Sequence, residues 1–179
     1  MKYFKLSDIS SPEQRMEQFS CFAWMGSIEL NIQYSSDYKN AKILRDIVDN
    51  LCMIFQIPSK WRTRFVLICD ELNNNAIEYG SKVNEINTLN LCFTNTDSLI
   101  TVSWYVDDAG NGVKSKRAKD MELMREEHER VPPVMRHSIR GRGLFLIIAH
   151  LVDRLYFEDV KPQWLRVGFQ KSLSLDDIS

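Results

Sequence analysis

The chain has 179 residues, 44% of them hydrophobic and 26% charged, enough apolar surface for one substantial core and too short for two ordinary domains. Lysine and arginine total 23 against 24 aspartates and glutamates, a formal charge of −1, so nothing in the overall charge points to nucleic acid or an acidic membrane as partner. No apolar run approaches the roughly 20 residues of a membrane span, and the start lacks a signal-peptide core, so a soluble cytoplasmic protein is expected.

The first 25 or so residues fit no element and are set apart as an extension over residues 1–26. Residues 27–35 alternate, with Ile28, Leu30, Ile32 and Tyr34 on one side and Glu29, Asn31 and Gln33 on the other, the pattern of a half-buried strand. Asp37 is placed to cap a helix whose apolar positions Ile43, Leu44, Ile47, Val48, Leu51, Ile54 and Phe55 recur at helical spacing, and Pro58 ends the connection. A second helix is predicted over 59–79, with Phe65, Ile68, Leu72 and Ala76 inward and Gly80 as its stop. Strand-like runs follow at 87–93 and 99–106, joined by a polar turn.

After the turn at 107–112 comes a charged segment with a helical pattern, 114–130, then a basic stretch to Arg142; residues 113–140 read most simply as a mobile flap. Residues 144–152 read as a buried helix entered through a glycine loop, and 155–157 and 165–169 as closing strands. This order leaves few parallel crossovers and predicts an α/β two-layer sandwich, a mixed and mostly antiparallel sheet with helices on one face, spanning 27–172 with a short tail over 173–179. Cys21, Cys52, Cys69 and Cys92 form no CxxC pair and read as buried reduced thiols. His128, His137 and His150 show no metal-ligand spacing.

Three polar clusters stand out. Glu71 and Asn75 lie four apart in a helix that also carries Asn73 and Asn74, three consecutive poor helix formers. A carboxylate and an amide oxygen one turn apart suit a hydrated hard cation and a general base, although a solvated helix stripe has the same pattern. Asp108-Ala109-Gly110-Asn111-Gly112 follows an apolar strand; its glycines admit close approach by a ligand and its aspartate can accept from an exocyclic amine, although such residues dominate ordinary turns as well. Arg140-Gly141-Arg142-Gly143-Leu144 opens a helix and offers backbone N–H groups and charge to a phosphate, or is simply a soluble loop.

Taken in this order, the three clusters resemble the conserved boxes of the GHKL superfamily of ATPases and kinases, over residues 28–171. Glu71 with Asn75-Ala76 resembles the N box, Asp108 to Gly112 the first glycine box and Gly141 to Leu144 the second, and Asp153 matches an aspartate that often follows. The likeness is greatest to bacterial anti-sigma factors that are serine kinases of their antagonists, with Tyr79 where histidine is common. The resemblance implies the Bergerat ATP-binding fold, ATP and Mg²⁺ as cofactors, Glu71 as general base and Asn75 as the metal-holding residue. Asp108 would read the adenine amine, Gly110 and Gly112 admit the nucleotide, and Arg140, Gly141, Arg142, Gly143 and Leu144 meet the phosphates.

It further implies a homodimer with an anti-sigma antagonist and a sigma factor as partners. Two features depart from the pattern: the inter-box segment is longer, and Pro162-Gln163-Trp164 stands where a Gly-Thr pair often precedes the last strand. A non-catalytic nucleotide-responsive switch and a detached histidine-kinase catalytic domain are the alternative readings.

Overall fold

The computed structural model describes residues 1–20, 26–96, 98–130, 148, 150–161, 164–174 and 177. The alternation seen in the sequence becomes a six-stranded sheet of β1 (Lys2–Lys5), β2 (Ser27–Ser35), β3 (Ile86–Asn95), β4 (Leu99–Asp107), β5 (Arg154–Asp159) and β6 (Leu165–Ser174). The spatial order is β1-β2-β3-β4-β6-β5. All pairs are antiparallel except β1 with β2, so the sheet is mixed and mostly antiparallel as predicted.

Because side chains alternate between faces, register determines which residues meet across the sheet. Leu30, Leu91, Trp104, Phe169 and Leu155 fall in one row, and Ile32, Leu89, Val106, Val167 and Phe157 in the next. Against this face pack α2 (Lys39–Ile54), through Leu44, Ile47, Val48 and Leu51, and α3 (Ser59–Asn75), through Trp61, Phe65, Ile68 and Leu72. Trp104 sits at the centre, edge-on to Phe169 at 4.3 Å between ring centroids and to Phe65 at 5.6 Å. Ion pairs Arg45–Asp70 at 3.2 Å and Arg62–Asp49 at 3.0 Å join the two helices. The opposite face carries Glu29, Asn31, Asn90, Ser103, Tyr105 and Arg166, the polar half of the same alternation.

α2 stops where Gln56 takes a left-handed φ of 54° and Ile57 N–H bonds back to the Cys52 carbonyl at 2.8 Å. Its start lies near the predicted cap, with the Asp37 carboxylate accepting Lys39 N–H at 2.9 Å. Cys52 and Cys69 are buried free thiols whose pKa values burial pushes up, and Cys92 is free and half-buried.

The first residues are more ordered than their sequence indicates. β1 leads through a 3₁₀ turn (Leu6–Ile9) into α1 (Pro12–Ser20), and Leu6, Ile9 and Phe19 join the core. α1 opens with a reciprocal capping box: Ser11 Oγ accepts Gln14 N–H at 3.1 Å and Gln14 Oε1 accepts Ser11 N–H at 3.0 Å, with Pro12 in the first helical position. Arg15, 3% exposed, donates to the Ile9 and Ser10 carbonyls and faces Asp46 of α2 at 3.6 Å. Four strand residues are too few to show alternation, which is why the sequence left them unassigned.

The charged segment read as a mobile flap contains α4 (Ala118–Arg130), which packs against β5 and buries Met121. Of the helix predicted over 144–152, only Ile148 and residues 150–152 are described; Ile148 is buried and its carbonyl accepts from Leu151 and Val152 N–H. The last strand is longer than predicted and reaches Ser174, with Leu173 fully buried opposite Ile100.

Candidate functional site

The asparagine run lies where α3 changes character. Asn73 turns inward, 1% exposed, and its Nδ2 donates to the Cys69 carbonyl four residues back at 2.7 Å, a bond that competes with helix geometry. Two residues later the α-helix gives way to a π-helical turn (Ala76–Gly80), a form that recurs at functional sites. Ser36 Oγ steadies that turn by donating to the Ile77 carbonyl at 3.3 Å. The turn carries Glu78, Tyr79 and Gly80 into the wall of a cavity of about 560 Å³.

The cavity has an apolar slot of Leu72, Ala76, Val106, Leu165 and Val167, with Met121 and Met124 of α4 on one side. At its base stands Asp108, 6% exposed. Its Oδ1 accepts Gly110 N–H at 2.9 Å and Leu165 N–H at 3.4 Å. Burial raises the Asp108 pKa to about 6, the two backbone donors opposing the rise and the charge of Asp107 adding to it. A half-apolar slot ending in a buried acceptor fits a flat heteroaromatic ring with an exocyclic amine.

Two glycines make this closeness possible. A side chain at residue 80 would overlap the Asp108 carboxyl, and one at residue 112 would overlap the Tyr79 carbonyl, while Gly112 N–H donates to the Gly80 carbonyl at 3.1 Å. Gly110, with φ of 63°, supplies the left-handed step of the turn. Ser81 Oγ accepts Ala109 N–H at 2.9 Å and donates to Asn87 Oδ1 at 2.6 Å, fixing the turn from behind. On the far side of the sheet, Arg166 holds Asp107 bidentately at 2.8 and 2.9 Å and lies over the Tyr105 ring at 3.7 Å.

Asn75, expected from the sequence to hold the metal, lies in the cavity lining. Glu71, one turn earlier on the same helix face, is half-buried but is not part of the lining; burial first and the charge of Asp70 second raise its pKa. Asp108 lines it too, while Gly110 and Gly112 shape the turn from outside the lining. The phosphate loop predicted at Arg140, Gly141, Arg142, Gly143 and Leu144 lies outside the described residues. Asp153, singled out by resemblance, binds Lys171 Nζ and Ser172 N–H, each at 2.7 Å, and so fastens β6 without entering the cavity.

Sequence reasoning missed Lys114, Ser115, Lys116, Asp120, Met121 and Met124, all of which line the cavity. The spacing of Met121 and Met124, three apart in an otherwise charged segment, was the available signal.

Fold and cavity together define an α/β sandwich with a pocket lined by α3, the π turn, β4, α4 and β6. Residues 34–169 match the model for the histidine kinase-like ATPase domain, and the chain belongs to that family. Among solved structures it is similar to a chain of the SiaB–SiaC complex from Pseudomonas aeruginosa, with a TM-score of 0.52 and 11% identity over 88% of this chain and 97% of that one. At such identity the likeness is one of fold. No curated protein matches the sequence. Among the described residues no helix is long and apolar enough to cross a membrane.

Proposed function

We propose that the protein is an ATP- and Mg²⁺-dependent serine/threonine protein kinase that acts in the cytoplasm as an anti-sigma factor, phosphorylating an anti-sigma antagonist and sequestering a sigma factor as a homodimer. The observation that carries the kinase reading is the pair Glu71 and Asn75, one helical turn apart, with no hydrogen bond to either side chain among the described residues. Two polar groups left uncommitted beside a nucleotide cavity are available for chemistry. The solved complex of the similar fold contains two proteins, which supports a protein partner.

The residues fit magnesium as an ion held chiefly by water and phosphate oxygens. No group of three His, Cys, Asp or Glu residues suited to a metal occurs among the described residues, whereas Asn75 lines the cavity and its amide makes no hydrogen bond among them. Such an ion would supply charge neutralisation to the phosphates. Asp108 would orient the adenine, and Lys114 and Lys116 stand in the lining to offset phosphate charge. Glu71, whose carboxylate burial makes more basic, would accept the proton of the acceptor hydroxyl as that oxygen bonds to the γ-phosphorus. The γ-phosphorus bond to the bridging oxygen breaks and ADP leaves.

Incubation with magnesium, γ-labelled ATP and a candidate antagonist should transfer label to an acid-stable serine or threonine ester. Glu71→Ala should leave the ATP dissociation constant within about twofold and lower transfer by at least ~10²-fold. Tight ATP binding by wild type without transfer to any antagonist refutes the kinase reading, and an acid-labile product points to a histidine acceptor. A second reading, the non-catalytic switch, is favoured by the contribution of α4 to the cavity wall. Equal partner affinity with and without ATP would exclude it.

A further inference from the structure

α4 reaches the base slot through Met121 and Met124, yet its start is held by another element. Asp159 Oδ1, at the end of β5, accepts Ala118 N–H at 3.1 Å and lies 3.8 Å from Arg117 Nη1. Asp120 Oδ2, from within the first turn, accepts Arg117 N–H at 3.0 Å, so carboxylates satisfy two successive N–H groups at the start of the helix. Asp159 pairs with Leu165 across the β5–β6 ladder. Leu165 lines the cavity, donates its N–H to Asp108 Oδ1 and accepts Asp108 N–H at 3.1 Å. One strand pair therefore separates the carboxylate that caps α4 from the carboxylate at the base of the slot.

We propose that Asp159 is a positioning residue for adenine-nucleotide binding: it sets α4 so that Met121 and Met124 wall the base slot, and α4 thereby registers the presence of the base irrespective of the number of phosphates. The inference rests on the reading of the cavity as an adenine-nucleotide site. α4 has 13 residues and is mostly charged, and an isolated helix shorter than about 12–15 residues is marginal in water. Its order depends on the Asp159 cap, on β5 and on whatever fills the slot. Methionine suits the role, since its unbranched side chain repacks against a flat ring.

Amide hydrogen exchange on the full chain, paired with calorimetry, tests this. With ADP or ATP at ten times its dissociation constant, exchange within α4 should slow by about tenfold, equally for both nucleotides. Asp159→Ala should weaken ADP binding roughly fivefold and abolish the slowing in α4, whereas Asp159→Asn, which keeps an acceptor for Ala118 N–H, should stay within about twofold of wild type. Met124→Ala leaves the cap and the sheet intact and should also weaken ADP by roughly fivefold.

Slowing with ATP but not ADP, or unchanged ADP affinity in both Asp159→Ala and Met124→Ala, overturns the proposal. Calorimetric binding of ADP with no change in α4 overturns it while leaving the nucleotide site standing. Failure of wild type to bind either nucleotide overturns the adenine-nucleotide reading itself.

Discussion

Asp108 is kept ionised at neutral pH against the preference of its surroundings. Its pKa in the folded chain, about 6, lies above the ordinary value of 3.8, so between those values the folded state binds more protons than the unfolded one. Stability conferred by the protonated form is therefore present below about pH 4 and lost as pH rises through about 6. Asp108→Asn should raise the melting temperature at pH 7 by several degrees, given that each kcal/mol moves a domain of this size by about 2–4 °C, with the gain vanishing near pH 4. The same variant should lose ATP affinity by more than ~10-fold. Gly110 and Leu165 N–H claim the Oδ1 position, which leaves the amide NH₂ directed at the adenine amine, donor against donor. Wild-type ATP affinity should likewise fall on acidification through about pH 6, which calorimetry at about pH 5 and about pH 8 would show. Asp108 and Asn75 were legible in the sequence because each is a polar interruption in an apolar setting. Met121 and Met124 were not, because they fall in a charged segment that reads as a mobile flap.

At the scale of elements, the end of α3 and the turn after β4 form one interlocked unit. Gly80 makes room for the Asp108 carboxyl and Gly112 makes room for the Tyr79 carbonyl, so each segment supplies the space the other needs. Gly112→Ala should force the two apart, destabilise the fold by about 1–3 kcal/mol in denaturant titration and weaken ATP binding more than it weakens stability. A destabilised variant with intact nucleotide affinity would mean that the turn does not position the site. In the sequence Gly80 read as a helix stop, which is half of what it does. The other half depends on a contact with a residue 28 positions away, and spacing within one element carries no record of it. The π turn was equally invisible, although the three asparagines marked the place where regular helix geometry loosens.

For the whole molecule, alternation and turn residues were enough to predict a mostly antiparallel sheet with β3 and β4 as a hairpin, while the placing of β6 between β4 and β5 comes from the structure. What they could not reveal was β1, because its parallel partner is separated from it by α1 and its register involves only four residues. That short strand decides how the molecule behaves in company. β2 runs for nine residues, and without β1 one flank of it would present a row of unpaired N–H and C=O groups, ready to template another chain. β1 closes that flank with a four-residue strand carrying Lys2 and Lys5, too brief and too charged to recruit a further strand itself. Deleting residues 1–20 would also uncover the core positions that receive Leu6, Ile9 and Phe19. The truncated chain should form assemblies larger than a dimer at micromolar concentration in light scattering where the full chain does not, so that β1 acts as a guard against aggregation at a sheet edge that contributes nothing to the cavity lining.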